Sequence, residues 1–164
     1  MKTLYLLRHA KSSWDNAFMS DFQRPLNPRG NRTAPFMGEL IKKRKLRAEI
    51  IVSSPAERAK ETAILVKEAA DMSAEIVFDR RIYEASPNGL RKVVSGLKDK
   101  YLSAMLVGHN PGLEGFIHSL TGRQEPMPTA ALAIIELEID KWDHLADNCG
   151  QVVSVIRPKE EMAK

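Results

Sequence analysis

The feature that most constrains this chain is a repeated alternation between short β-rich runs and longer segments of helical pattern. The runs that predict strands are residues 3–7, 49–53, 74–78, 103–107, 131–139 and 151–156. The patterns that predict helices are residues 28–44, 55–70, 87–98 and 111–120. Such alternation is typical of an α/β fold, a three-layer sandwich in which helices cover both faces of a mostly parallel sheet. No long helix separates the last two runs, which leaves room for one antiparallel strand at an edge.

The starts of the predicted helices are marked by a capping residue followed by proline. Four such pairs occur: Asn27-Pro28, Ser54-Pro55, Ser86-Pro87 and Asn110-Pro111. Asparagine and serine cap helices well, and proline suits the first helical position. Ser54 with Glu57 three residues later also predicts a capping box. The pairs at Ser54 and Asn110 directly follow apolar runs, so these two helices are predicted to begin beside the carboxyl ends of strands.

Length and composition limit the classes of protein that fit. The 164 residues, of which 43% are hydrophobic, suit one domain over residues 1–164. No apolar run approaches the roughly 18 residues of a membrane span, and a single cysteine, Cys149, excludes an internal disulfide framework. We therefore expect a cytoplasmic protein with no membrane partner. The net charge of +4 is spread along the chain and aromatic residues make up 6%, so no nucleic-acid partner is expected either.

Three segments carry residue types that support chemistry, and each contains the end of a predicted strand. They are LLRHA (6–10), VSSPAERAKET (52–62) and LVGHNPG (106–112). In open α/β sheets, ligands bind outside the carboxyl ends of the strands. Arg58 lies in the first turn of its helix, and helical side chains lean toward the helix N-terminus, so it can reach the same place. The residues predicted to converge are Arg8, His9, Arg58 and His109.

This set of side chains suits the binding and transfer of a phosphoryl group. Two arginines can hold an oxyanion, and helix N-termini add N–H donors. A neutral His9 could attack phosphorus if its other ring nitrogen donates to a carbonyl or carboxylate. Arg8, Arg58 and a protonated His109 would supply positive charge without a cofactor. No metal is expected, because neighbouring arginines repel a divalent cation and no metal-ligand motif is present.

Each segment taken alone has an ordinary structural explanation. An Arg-His pair at a strand end is usually a solvated surface feature, Ser-Pro-Ala-Glu starts many well-capped helices, and Gly-His-Asn-Pro-Gly can be a tight turn. The occurrence of all three at the strand ends of one alternating chain favours a common site.

The motifs RHA, SSPAERAKET and GHNPG resemble those of the histidine phosphatase superfamily, which includes phosphoglycerate mutases and acid phosphatases. The longer stretches RHAKSSWDNAFMSDFQRPLNPRG and IYEASP are similar to those of SixA-type phosphohistidine phosphatases. The resemblance extends from Thr3 to about Gly122. It implies a phosphoglycerate-mutase-like fold, His9 as nucleophile, and phosphoryl-oxygen contacts from Arg8, Arg58 and His109. Ala10 departs from the glycine usual in the wider superfamily, and the chain lacks the long insertion of the mutases, which argues against mutase activity.

The resemblance implies a metal-independent phosphatase that acts on phosphohistidine in a protein through a covalent intermediate on His9. A histidine phosphotransfer domain is one such protein partner. The alternatives are a phosphatase of small phosphate esters with the same mechanism, and a non-catalytic module that binds phosphorylated proteins. Glu84 lies where relatives place an acidic residue and is the candidate general acid. Ser12 is a candidate phosphate ligand.

Other polar residues are assigned structural or solvent-exposed positions. Asp21 and Arg24 are expected to pair with each other or to position their loop, and neither is expected to be catalytic. His118 lies opposite the apolar stripe of its helix and should face solvent. His144 has no predicted role. A basic cluster at the end of the first helix is expected to form a solvated face; its members are Lys42, Lys43, Arg44, Lys45 and Arg47.

Overall fold

The predicted alternation of strands and helices is present in the computed structural model, which describes residues 1–164. Six strands form one sheet: β1 (Lys2–Arg8), β2 (Ile50–Ser53), β3 (Glu75–Phe78), β4 (Ser103–Gly108), β5 (Leu132–Leu137) and β6 (Gly150–Ile156). Five helices accompany it: α1 (Pro28–Lys43), α2 (Glu57–Ala69), α3 (Pro87–Ser95), α4 (Gly112–Thr121) and α5 (Pro158–Met162). The short α5 was not predicted from the sequence. Short 3₁₀ turns span Asp21–Gln23, Arg80–Ile82 and Trp142–His144.

The sheet has the strand order β3-β2-β4-β1-β5-β6. The first four strands are parallel, whereas β5 runs antiparallel to β1 and β6 runs antiparallel to β5. The prediction of an antiparallel strand at an edge is therefore wrong in its position. The antiparallel strand β5 lies inside the sheet, and the edge strand β6 is again parallel to β1. The reason is that the chain returns from α4 to the carboxyl end of β1, where the Arg8 and Ala131 backbones pair, and then runs back along β1.

The two faces of the sheet each carry a buried hydrophobic cluster under a layer of helices. Alternate residues of β1 point to opposite faces, so Leu4 and Leu6 pack in the cluster that contains α3 and α4. Tyr5 and Leu7 pack in the other cluster, with α1 and α2. The α/β three-layer fold class is thus confirmed. None of the helices is long and apolar enough to span a bilayer.

Two of the four predicted helix caps are present, and the other two are wrong. Asn27 and Ser86 accept hydrogen bonds from the backbone N–H groups of Gly30 and Gly89, as expected of caps. The cap of α2 is instead Ala56, so the predicted capping box at Ser54 does not form. Helix α4 likewise begins at Gly112, after a Pro111 cap. Ser54 contacts His109 instead, whereas Asn110 lies one residue before the cap, donates to the Met127 carbonyl and accepts from the Glu114 N–H over 3.4 Å.

The basic cluster at the end of α1 is solvent-exposed, as predicted. Lys42 pairs with Asp71, and Arg44 pairs with Glu161. A wide cleft of about 700 Å³ lies here, bordered by Lys42, Arg47 and carboxylates such as Glu49. Because the charges are mixed and lie at the opposite end of the sheet from the motifs RHA, SSPAERAKET and GHNPG, this cleft is not the candidate site.

Candidate active site

The carboxyl ends of three neighbouring strands bring the predicted residues together. His9 follows β1, Ser54 follows β2 and His109 follows β4, and β4 lies between the other two strands. The backbone N–H of His9 donates to Gly108, and that of Ser54 donates to Val107. As a result, the rings of His9 and His109 lie 5.1 Å apart, centre to centre.

These strand ends form a small pocket of about 230 Å³. It contains the four residues predicted to converge and the predicted ligand Ser12. Its full lining is Arg8, His9, Lys11, Ser12, Trp14, Arg24, Arg58, His109, Asn110 and Thr129. Four of these side chains are arginine or lysine and none is acidic, so the pocket attracts anions.

His9 is held in the form that a nucleophile requires. Its ring is 7% exposed, and Nδ1 lies 2.7 Å from the carbonyl oxygen of Ala10. Because a carbonyl can only accept, Nδ1 carries the proton and Nε2 keeps a free lone pair. Burial, together with a smaller effect of nearby positive charge, lowers the pKa of His9 to about 3 despite the opposing contact with Ala10. The lone pair is therefore available at neutral pH.

The loop that carries His9 is fixed by close packing. The backbone N–H of Ala10 donates to Thr62 of α2 over 3.0 Å, and the Ala10 side chain is fully buried. The backbone of Lys11 approaches Gly30 so closely that a Cβ at position 30 would lie 2.1 Å from the Lys11 carbonyl oxygen. Any side chain at position 30 would displace this loop and His9 with it.

Two nitrogen atoms of the pocket lack a hydrogen-bond partner although they are buried. They are Nε of Arg8 and Nδ1 of His109, and no other buried side-chain nitrogen or oxygen atom of the chain is unpaired. An unpaired buried polar group typically costs about 1–3 kcal/mol. The other end of Arg8 is anchored, because its Nη1 donates to the carbonyl of Met127 over 3.0 Å. Such unpaired atoms in a cationic pocket are where an oxyanion would bind.

Arg58 is positioned by Asp21, a contact that sequence reasoning did not predict. Its Nη1 donates to the Asp21 carbonyl over 2.7 Å, and its Nη2 donates to Asp21 Oδ2 over 3.0 Å. Asp21 also accepts from Arg24, as predicted, and from the hydroxyl of Tyr83 over 2.7 Å. The Tyr83 hydroxyl and the two arginines hold the pKa of Asp21 well below its usual range. Asp21 is therefore a permanent anion that orients Arg58.

Replacing Asp21 by asparagine is expected to reduce kcat/KM about tenfold without unfolding the protein. The amide keeps the shape of the carboxylate but loses the charge that holds Arg58, and a hydrogen bond to a charged group is worth about 1.5–3 kcal/mol. Steady-state kinetics with a fixed substrate measures the change. Asp15→Asn on the same exposed loop is the matched control, since the Asp15 carboxylate makes no hydrogen bond or ion pair. Equal kinetics for the two variants would contradict this role of Asp21.

Ser12 and Trp14 lie at one side of the pocket and are linked through Arg24. The Ser12 oxygen accepts from Arg24 Nη2 over 2.6 Å, which leaves its own hydroxyl proton free to donate. The Arg24 guanidinium stacks on the Trp14 ring, 3.1 Å from the ring centre. Trp14 is 74% exposed and was not predicted as part of the site. Only its place near His9 in the sequence could have suggested it.

Glu84 lies outside the lining of the pocket. It is exposed, its backbone φ is 55°, and its carboxylate makes no hydrogen bond. Its neighbour Tyr83 is closer to the chemistry, since the Tyr83 ring lies edge-on to His109 at 5.6 Å. Burial and Asp21 raise the pKa of Tyr83 to about 12, so it stays a phenol. His118 is exposed, as predicted, and His144 is also exposed.

His109 differs from the expectation of a protonated imidazole. Burial lowers its pKa to about 4, and Arg58 adds to this effect because it is a like charge. The unliganded site therefore holds two neutral rings, and its fixed positive charge comes from the arginines. His109 Nε2 lies 2.8 Å from Ser54 Oγ, while its Nδ1 is buried and unpaired, and the residue lines the pocket.

The fold and the site together define an α/β protein with a cationic pocket around a neutral histidine whose Nε2 lone pair is free. A family model described as histidine phosphatase superfamily (branch 1) matches residues 4–93. The chain belongs to this superfamily. An uncharacterized protein of Mycobacterium leprae is 26% identical over 93% of this chain and 100% of its own length.

Solved structures confirm the resemblance to SixA-type proteins. SixA from Agrobacterium tumefaciens is 27% identical, with a TM-score of 0.83 over 96% of this chain and 98% of that one. A protein histidine phosphatase SixA solved with tungstate is 20% identical, with a TM-score of 0.84 over 97% and 99% of the two chains. Superfamily and fold support phosphatase activity for this chain.

Proposed function

We propose that this protein is a metal-independent phosphohistidine phosphatase that removes the phosphoryl group from a phosphorylated protein through an intermediate on His9. One observation carries the proposal: the free Nε2 lone pair of His9 belongs to a pocket whose only unpaired buried groups are the nitrogen atoms of Arg8 and His109. A tetrahedral anion held by those groups would present its phosphorus to His9.

Two bond exchanges complete the reaction. In the first, His9 Nε2 bonds to phosphorus while the bond from phosphorus to the substrate nitrogen breaks, and the leaving imidazole nitrogen takes up a proton from solvent. In the second, water attacks phosphorus, the bond to His9 breaks, and inorganic phosphate leaves with release of a proton. Arg8 and Arg58 stabilise the charge on the equatorial oxygens in both steps. Neither step requires a group that this chain lacks.

The size and lining of the pocket support a protein substrate. Its volume of about 230 Å³ is below the ~300–1,000 Å³ of typical small-molecule sites. Trp14 is the one hydrophobic residue of the lining, and it lies at the exposed side. A pocket of this kind accommodates a phosphoryl group and the ring that carries it, while the body of the substrate stays outside. Resemblance to SixA-type proteins supports the same assignment.

Comparison of the wild type with Glu84→Gln on two kinds of substrate, with chelator present, tests the proposal. The wild type is expected to hydrolyse phosphohistidine protein faster than phospholysine, phosphoarginine or phosphate esters. An imidazole leaving group, with an ordinary pKa of about 6.5 in its protonated form, needs little help from an acid, whereas an alkoxide needs much. Glu84 lies outside the pocket lining, so Glu84→Gln should leave phosphohistidine turnover within about twofold. A loss of about tenfold or more on esters alone would show that Glu84 acts as the acid for an alkoxide leaving group.

Three other outcomes would change the assignment. Faster hydrolysis of a small ester than of phosphohistidine protein would favour the phosphate-ester alternative. Tight phosphate binding with no turnover on any substrate would favour a non-catalytic binding module. Loss of activity with the chelator, restored by a divalent ion, would contradict the metal-independent mechanism.

A further inference from the structure

The hydroxyl of Ser54 makes two contacts, and their chemistry differs. Its oxygen accepts from the backbone N–H of Ala56 over 3.2 Å, and it lies 2.8 Å from Nε2 of His109. The backbone N–H can only donate, so in that contact the serine oxygen is the acceptor. Ser54 has no exposed surface, so no solvent can pair with it.

The hydroxyl proton of Ser54 therefore has one available acceptor, which is Nε2 of His109. A buried donor without a partner is unfavourable, so the hydrogen bond runs from the serine to the histidine. Nε2 must then carry the lone pair, and the proton of the neutral ring lies on Nδ1. This is the buried atom of the pocket that has no partner within the protein.

We infer that Ser54 is a positioning residue that holds neutral His109 in its Nδ1–H tautomer, so that this N–H donates to an oxygen of the bound phosphoryl group. The inference rests on the proposed function for the identity of the ligand. The tautomer itself is a property of the free protein.

The two histidines of the pocket are then set to opposite tasks by their partners. The Ala10 carbonyl accepts a hydrogen bond from the protonated Nδ1 of His9, so the lone pair on Nε2 remains available for phosphorus. The Ser54 hydroxyl donates to the lone pair on Nε2 of His109, so the Nδ1–H group remains available for a phosphoryl oxygen. With the reverse tautomer, His109 would direct a lone pair at the anion and the Ser54 proton would lack an acceptor. A neutral histidine that donates in this way still polarises an oxygen atom.

Nitrogen-15 NMR of the wild-type protein tests the tautomer directly. Unprotonated and protonated ring nitrogens resonate far apart, and long-range couplings identify Nδ1 and Nε2 of each of the four histidines. At neutral pH we expect His109 to show a protonated Nδ1 and an unprotonated Nε2, and inorganic phosphate to shift the Nδ1–H signal. A protonated Nε2 in the neutral His109 ring would overturn the inference without need of any variant.

Replacing Ser54 by alanine should redistribute the proton of His109 between its two nitrogens and weaken inorganic phosphate binding about tenfold, as loss of one hydrogen bond would. Ser53→Ala is the matched control: Ser53 is equally buried, its hydroxyl donates to the Ser54 carbonyl, and it does not contact histidine. A wild-type tautomer and wild-type phosphate affinity in Ser54→Ala would overturn the inference. Because neither measurement needs turnover, a failed substrate panel would reject the proposed function and leave this inference to be judged separately.

Discussion

Replacing His9 by alanine is expected to abolish turnover and the phosphoenzyme together. The alanine side chain cannot bond to phosphorus, and the other pocket histidine cannot replace His9, because its Nε2 is occupied by Ser54. Loss of a covalent nucleophile typically lowers kcat by about 10⁴-fold or more. Rapid-quench labelling with a phosphorus-32 substrate measures both quantities, since a phosphohistidine survives alkali and is lost in acid.

The matched control for this variant is His118→Ala on the exposed face of α4, which should retain full activity and labelling. Inorganic phosphate should still bind to His9→Ala, because Arg8, Arg58 and His109 remain; this binding also shows that the pocket is folded. Turnover near the wild-type level in His9→Ala would reject the covalent mechanism. Label retained at another residue of the variant would reject the assignment of the nucleophile.

Much of the architecture can be predicted from the sequence because its signals are local. The caps Asn27 and Ser86 and the prolines that follow them mark helix starts that depend on neighbouring residues only. The position of β5 inside the sheet depends instead on where the chain returns after α4, which no local pattern specifies. Ser54 shows the same limit: its local pattern favours a cap, but the distant His109 ring is its partner.

The residues of the candidate site also include some that local sequence signals predict and others that depend on contacts with distant parts of the chain. His9 and His109 could be placed because each follows an apolar strand, and parallel strands end at one edge of the sheet. Asp21 reaches Arg58 from 37 residues away and Tyr83 from 62 residues away, in a loop without regular pattern. The protonation state of His109 was also beyond sequence reasoning. It depends on how deeply the ring is buried, and burial favours the neutral form.

Replacing Arg58 by alanine is expected to lower kcat by about 10²–10³-fold, as loss of one preorganised donor to a developing charge usually does. Arg58 is 7% exposed, and its guanidinium is fixed by two hydrogen bonds to Asp21, so under the proposed function it would bind the phosphoryl oxygens without further ordering. Arg58→Lys should recover only part of the rate, because an ammonium lacks the planar fork that contacts Asp21 and an oxyanion together. Steady-state kinetics of both variants measures the effect, with exposed Arg47→Ala as the control.

Part of the Arg58→Ala loss should come from Asp21 rather than from the missing guanidinium. Without Arg58, the Asp21 carboxylate keeps Arg24 and Tyr83 but loses one of its two cationic partners beside the pocket, so it repels an incoming anion more strongly. The double variant Asp21→Asn with Arg58→Ala should therefore be more active than Arg58→Ala alone, by about threefold to tenfold. Strict additivity of the two single losses would show that Asp21 and Arg58 act independently, which would contradict the role of Asp21 in orienting Arg58. A cost of Arg58→Ala below about threefold would exclude Arg58 from transition-state binding.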